Sequence, residues 1–105
     1  MQHGWLTTLR PDGAPRTSRV WFVERDRETW IATSESALKI SDLRRDPRAS
    51  FAVEGTHGAV TMTAALVPTE AAPEVLELFR QNYDGWDAAD PADYGPRILI
   101  RLHHL

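Results

Sequence analysis

A chain of 105 residues that is 42% hydrophobic and 26% charged has room for one packed core and not for two. Its 12 basic and 15 acidic residues leave a formal charge of −3, which provides no basic field to hold a nucleic-acid backbone. The lack of cysteine excludes thiol catalysis, disulfides and thiolate metal sites. With no apolar run near the roughly 20 residues of a membrane helix and no signal or transit peptide in the opening residues, a cytoplasmic protein is expected.

In chain order, Trp5-Leu6-Thr7-Thr8-Leu9 is an apolar and β-branched run that ends at Pro11-Asp12-Gly13-Ala14-Pro15, where Pro and Asp-Gly dictate a turn. The second strand, Arg16 to Glu24, alternates at first and then becomes wholly apolar in Val20-Trp21-Phe22-Val23. That change is expected of a central strand covered on both faces. A charged turn, Arg25 to Glu28, leads to a third strand, Thr29 to Thr33. After Ser34-Glu35-Ser36 the period changes: Ala37, Ile40 and Leu43 recur at helical spacing until Asp46-Pro47 ends the segment. Ser34 or Ser36 is the expected N-cap, since a hydroxyl there accepts from a backbone N–H of the first turn.

Strands at Arg48 to Val53 and Ala59 to Val67 form a second hairpin across Glu54-Gly55-Thr56-His57-Gly58. Pro73, then Val75, Leu76, Phe79 and Tyr83, predict an amphipathic helix that opens on proline. A loop rich in Asp, Gly and Pro runs from Asp84 to Pro96, and Arg97 to Leu102 is the last strand. The expected fold is mainly β: six antiparallel strands with two peripheral helices, in a small barrel or a strongly coiled sheet, since closure leaves no long edge exposed.

The order and spacing of several segments resemble the FMN-binding split β-barrel of the pyridoxamine 5′-phosphate oxidase-like superfamily. They are the run from Leu6 to Pro15, Val20-Trp21-Phe22, Thr33 with Lys39 six residues on, and Asp42-Leu43-Arg44-Arg45-Asp46-Pro47-Arg48. Tyr83-Asp84-Gly85-Trp86-Asp87 and Gly95-Pro96-Arg97 are similar to members of the branch that uses the deazaflavin coenzyme F420. The resemblance implies one FMN-binding domain over residues 1–105, short of the family's N-terminal helix and C-terminal segment. It also implies a homodimer with cofactor sites at the interface. Trp21 and Trp30 are candidates for that seam, with burial in the core as the equal alternative.

Lys39 is the only lysine in the chain. Thr33, Ser34 and Lys39 surround a helix start, where backbone N–H groups and the helix dipole favour an anion, and the resemblance gives these residues the cofactor's phosphate. It places the ring beside Ser18, Arg19, Val20 and Trp21, with Ala32 and Leu38 completing the expected cofactor contacts. There are departures as well. True pyridoxamine phosphate oxidases carry cationic residues where this chain has Ser18, Val23 and Leu38, and a Gln where it has Ala59. Synthesis of pyridoxal phosphate is therefore not expected, and F420 is the alternative cofactor to FMN, its tail passing over Arg44, Arg45 or Arg48.

The functional expectation is an oxidoreductase that moves hydride or electrons between bound FMN or F420 and a small molecule. A non-catalytic flavin or haem carrier on the same fold is the alternative, and a barrel that has lost its cofactor is the third reading. No catalytic side chain is assigned, because spacing does not choose among Tyr83, Tyr94 and His57 as proton donors. A metal site is not expected: His103 and His104 are adjacent on a strand and point to opposite faces. Glu70, Glu74 and Glu77 are read as a solvated helix face.

Overall fold

The computed structural model describes residues 2–92 and 94–104. Among these residues it contains the strands β1 (His3–Leu9), β2 (Pro15–Arg25), β3 (Glu28–Ser34), β4 (Arg48–Val53), β5 (Val60–Pro68) and β6 (Arg97–His104). Helix α1 (Leu38–Arg45) lies between β3 and β4, and α2 (Pro73–Asn82) follows a short 3₁₀ turn after β5. All pairings are antiparallel and the ladder closes in the order β1-β2-β3-β6-β5-β4, with β4 returning to β1. The six strands and two helices expected from the sequence are present, and most boundaries agree within two residues. Pro73 does open α2, where its fixed φ and missing N–H cost nothing.

Two clusters follow from the alternation of the strands. Leu6, Val20, Phe22, Ile31, Phe51, Ile100 and Leu102 fill the barrel, together with Ile40 and Leu43 from α1. On the outer surface Val23, Trp30 and Leu99 meet Val75, Phe79 and Tyr83 of α2 and its C-terminus. Val20 to Val23 are therefore apolar without interruption because even positions face the barrel interior and odd ones the helix. Trp30 is 7% exposed and belongs to this outer cluster, whereas Trp21 is half-buried against it. Gly4 sits inside β1 because Phe51 crosses over it: a Cβ would overlap that ring.

The start of α1 differs from the expectation. Its N-cap is Ala37, with no side-chain bond, and Lys39 is the second helical residue. Ser34 lies too far ahead of the first helical residue, Leu38, to cap it; its hydroxyl accepts from the Ser36 N–H at 3.3 Å and donates to the Tyr94 carbonyl at 2.7 Å, a tertiary bond that a local reading does not contain.

At its lower end α1 is fixed by Asp42, whose carboxylate is 1% exposed. It accepts from Thr8 Oγ1 at 2.9 Å, Arg16 Nε at 2.7 Å and Arg45 at 3.4 Å. Burial opposes its ionisation, but the bonds from Arg16 and Thr8, the Arg16 charge and the bond from Arg45 outweigh it and hold the carboxyl below the ordinary range. One carboxylate thereby joins α1 to β1 and β2.

Candidate functional site

The β2–β3 ladder runs only from Arg25–Glu28 to Phe22–Ile31. Beyond it the strands part, although each keeps its other neighbour: Arg19, Val20 and Trp21 stay paired with β1, and Ala32, Thr33 and Ser34 with β6. The two edges that face each other across the parting are free of strand partners. Backbone donors and acceptors there are available to a ligand, since main-chain polar groups left without partners need another satisfier. A cleft of about 700 Å³ occupies this gap.

One wall comes from β1 and β2. The Trp21 indole N–H donates to His3 Nε2 at 2.7 Å, and its ring stacks on Tyr83 at 4.8 Å between centroids and 19° between planes. Trp86 meets Trp21 edge-on at 5.0 Å. Arg19 forms a two-point pair with Glu54 at 3.1 and 2.9 Å. The Glu54 carboxyl is held low, first by the Arg19 bond acting against burial and then by the charges of Arg19 and His3. The second wall is Ala32, Thr33 and Lys39. Burial, and then the nearby Arg97 charge, push the Lys39 ammonium below its usual 10.5. Arg97 is likewise lowered by burial, with Asp90 and Tyr94 opposing. Its guanidinium lies 5.3 Å from the Trp86 ring centroid, and its Nε donates to the Ala88 carbonyl at 3.3 Å. Among the described residues, neither Lys39 nor Arg97 has an ion-pair partner.

Of the residues expected at a cofactor, Arg19, Val20, Trp21, Ala32, Thr33 and Lys39 line this one cleft. Ser18, Ser34 and Leu38 are not among its lining residues. Ser18 has the inward parity of Val20 and Phe22 and lies opposite Leu6. Leu38 is 62% exposed, turned outward on the first turn of α1. Ser34 acts at one remove, holding the Tyr94 segment against β3 together with the bond from the Glu35 N–H to the Pro96 carbonyl at 2.8 Å. Arg44, Arg45 and Arg48 are also outside the cleft lining. Arg45 bonds the Leu9 carbonyl and Asp42, and Arg48 is paired with Asp46 at 2.7 Å.

Among the proton-donor candidates, Tyr83 is committed to structure. Its buried hydroxyl accepts from the Phe22 N–H at 3.0 Å and lies 2.6 and 2.7 Å from the carbonyls of Phe22 and Gln2. Burial, against the bond to Phe22, raises its pKa. His57 is in an exposed turn, whereas Tyr94 lines the cleft. The described residues contain no group of three metal-ligating side chains. Sequence reasoning missed His3, Trp86, Asp90 and Arg97 as lining residues. Trp86 and Arg97 belong to segments that resemble the F420-using branch, but those segments do not show that they reach the cleft, because the place of Arg97 depends on β6 entering the sheet beside β3.

A family model for pyridoxamine 5′-phosphate oxidase matches residues 2–104. Among solved structures, the chain is similar to the conserved hypothetical protein Rv2991 from Mycobacterium tuberculosis, with 28% identity and a TM-score of 0.72 over 96% of this chain and 71% of that one. An F420 reductase is 23% identical with a TM-score of 0.72, covering 97% of this chain and 85% of the other. A pyridoxamine 5′-phosphate oxidase-related, FMN-binding protein from Nostoc punctiforme is 14% identical with a TM-score of 0.66, covering 97% and 70%.

Proposed function

The chain belongs to the pyridoxamine 5′-phosphate oxidase family, and from that premise we propose that its cleft binds FMN, with F420 as the alternative occupant, in an oxidoreductase acting on a small molecule. The observation that carries this reading is an aromatic-walled cleft between two open strand edges with a half-buried lysine inside it. A flavin or deazaflavin supplies hydride or electron transfer when bound. The chain's own part is to bind, orient and shield. Lys39 and the Thr33 hydroxyl contact the phosphate, while backbone groups of Arg19 to Trp21 meet the polar edge of the ring. Trp21, fixed by His3 and Tyr83, covers an apolar face. The neutral residues Ser18, Val23, Leu38 and Ala59 support an activity other than pyridoxal phosphate synthesis.

A homodimer is part of the same proposal. The outer face of β4 and β5 carries Ser50, Thr61, Thr63 and Ala65, and the nearby Trp5 is 41% exposed. On adjoining β6, Arg101 and His103 stand beside Ala65 and Thr63 and continue this face, which a second copy would cover. No helix of the described residues is long and apolar enough to cross a membrane, and a cytoplasmic location is proposed.

Titration of the full-length protein with FMN and with F420 tests the reading. Lys39→Ala is expected to weaken the preferred cofactor by roughly 1.5–3 kcal/mol, the range of a charge-assisted phosphate bond. Binding of neither cofactor would reject the proposal. Binding without turnover of any electron acceptor or donor would replace the enzyme with a carrier.

A further inference from the structure

The hold on the Trp21 indole depends on the protonation state of one neighbouring side chain. Its N–H meets His3 Nε2 at 2.7 Å. An indole nitrogen only donates, so Nε2 must offer its lone pair and the single ring proton belongs on Nδ1. Nδ1 faces Glu54, whose Oε2 is 3.8 Å away. The backbone of Glu54 is itself tied to His3, because its N–H donates to the His3 carbonyl at 2.9 Å. The imidazole thus stands between a donor that tolerates only its neutral form and a carboxylate that favours its charged one. Its side chain is 23% exposed, so protons from solvent reach it. Arg19 is bound to the same carboxylate and opposes a second positive charge beside it. Lys39, Arg97, Asp90 and Tyr94 share the cleft with His3, the two cations opposing a charge on the imidazole and Asp90 favouring it. Among the described residues only Glu54 lies within ion-pair distance of His3.

We infer that His3 is the positioning residue of the aromatic wall and latches Trp21 only as the neutral imidazole, so that binding in the cleft weakens when His3 takes up a proton. Protonation of Nε2 sets one N–H against another, and the hydrogen bond is lost. The imidazolium stays beside Glu54, which gives the unlatched state a partner of its own. Trp21 then keeps its contacts with the rings of Tyr83 and Trp86, which hold its plane but not the direction of its N–H. This coupling rests on the cleft being the cofactor site and adds a regulation to it. A wall that is no longer held in one orientation must be ordered again when a ring binds against it, and that ordering is taken out of the affinity.

The test follows the Trp21 indole N–H by nuclear magnetic resonance in the empty full-length protein from about pH 8 to about pH 5, the interval in which histidine changes charge. Its resonance is identified by its loss in Trp21→Phe. In wild type it is expected to move upfield on acidification, as the N–H gives up its acceptor. In His3→Gln, whose side-chain oxygen can accept without titrating, it should stay in place, and in His3→Leu it should sit at the acid position throughout. Fluorescence titration with FMN over the same interval should show affinity falling by about 3- to 10-fold more in wild type than in His3→Gln, the worth of one neutral hydrogen bond. His3→Gln is the reference because a phosphomonoester also takes up a proton near pH ~6. An indole resonance that holds still in wild type, or moves equally in His3→Gln, overturns the latch. Equal FMN profiles in the two proteins overturn the coupling, as does FMN binding that tightens in acid relative to His3→Gln, the response of a simple cation in the cleft. An indole resonance that moves as expected in a protein that binds neither FMN nor F420 supports the latch and rejects the cofactor reading.

Discussion

Replacing Asp42 by Asn changes almost no volume and removes one charge, so the loss isolates what ionisation contributes at the base of α1. Asp42 is 1% exposed and accepts from Thr8, Arg16 and Arg45. The amide presents one oxygen and two donors to three donors, leaving Arg16 without its counter-charge. Breaking a buried pair by removing one partner costs about 3–5 kcal/mol. Because the Arg16 side chain is 28% exposed and keeps some water, the lower end applies. A loss of about 3 kcal/mol corresponds to a fall of roughly 15 °C in melting temperature for a domain of this size. The assay is urea unfolding at pH 7 and at several lower values. A carboxyl depressed in the folded state stabilises fully above its unfolded pKa and loses that contribution as pH falls through the folded one. Wild type should therefore converge on Asp42→Asn in acid, provided that both remain folded. A difference below about 1 kcal/mol at pH 7 would refute the assignment of a stabilising role to the ion pair. A difference that stayed constant into acid would show that shape, and not charge, is responsible.

Two other outcomes follow from the same geometry. Tyr83→Phe deletes the hydroxyl that serves the Phe22 backbone, and is expected to lower unfolding free energy by about 1–2 kcal/mol while FMN affinity, measured by fluorescence titration, stays within about twofold; a large loss of affinity at intact stability would return Tyr83 to the site. Lys39 is lowered below 10.5, so the folded protein releases this proton at a lower pH than the unfolded chain. The empty protein should then gain stability as pH rises through that alkaline interval while phosphate affinity falls, and both trends should disappear in Lys39→Ala. Unfolding and phosphate titrations across the interval check the two signs.

The strand pattern was legible because alternation and turn residues are local. The uninterrupted apolar run Val20 to Val23 already told of cover on both faces, and α2 and the barrel interior supply it. Gly4 escaped the reading of β1, since glycine weakens a strand unless something crosses it, and Phe51 lies 47 residues away in sequence. The Ser34 hydroxyl was misplaced for a similar reason: its partner, Tyr94, is brought near only by the fold. In the site, Arg19 to Trp21, Ala32, Thr33 and Lys39 were found from segments that resemble a family and belong to adjacent elements. Ser18 and Leu38 sit next to true lining residues, but strand parity and helix rotation turn them elsewhere. His3, Trp86, Asp90 and Arg97 come from parts of the chain that converge only after the sheet is assembled, and the segments around Trp86 and Arg97, although they resemble a family branch, do not by themselves mark that convergence.

The place of β6 has a consequence for how the chain reaches its native state. It is the last strand in order, and it pairs along its length with both β3 and β5. Strands β1 to β5 by themselves make an open sheet bordered by β3 and β5, with Trp30, Ile31 and Ala32 on one bare margin and Ala64, Leu66 and Val67 on the other. Such margins recruit strands from other molecules. A partly folded chain in which Arg97 to His104 has not yet docked therefore has two adhesive margins, and pairings this distant in sequence form slowly. Yield in the cell should depend on how well that partly folded chain is protected, by chaperones or low temperature, even where the finished barrel is stable.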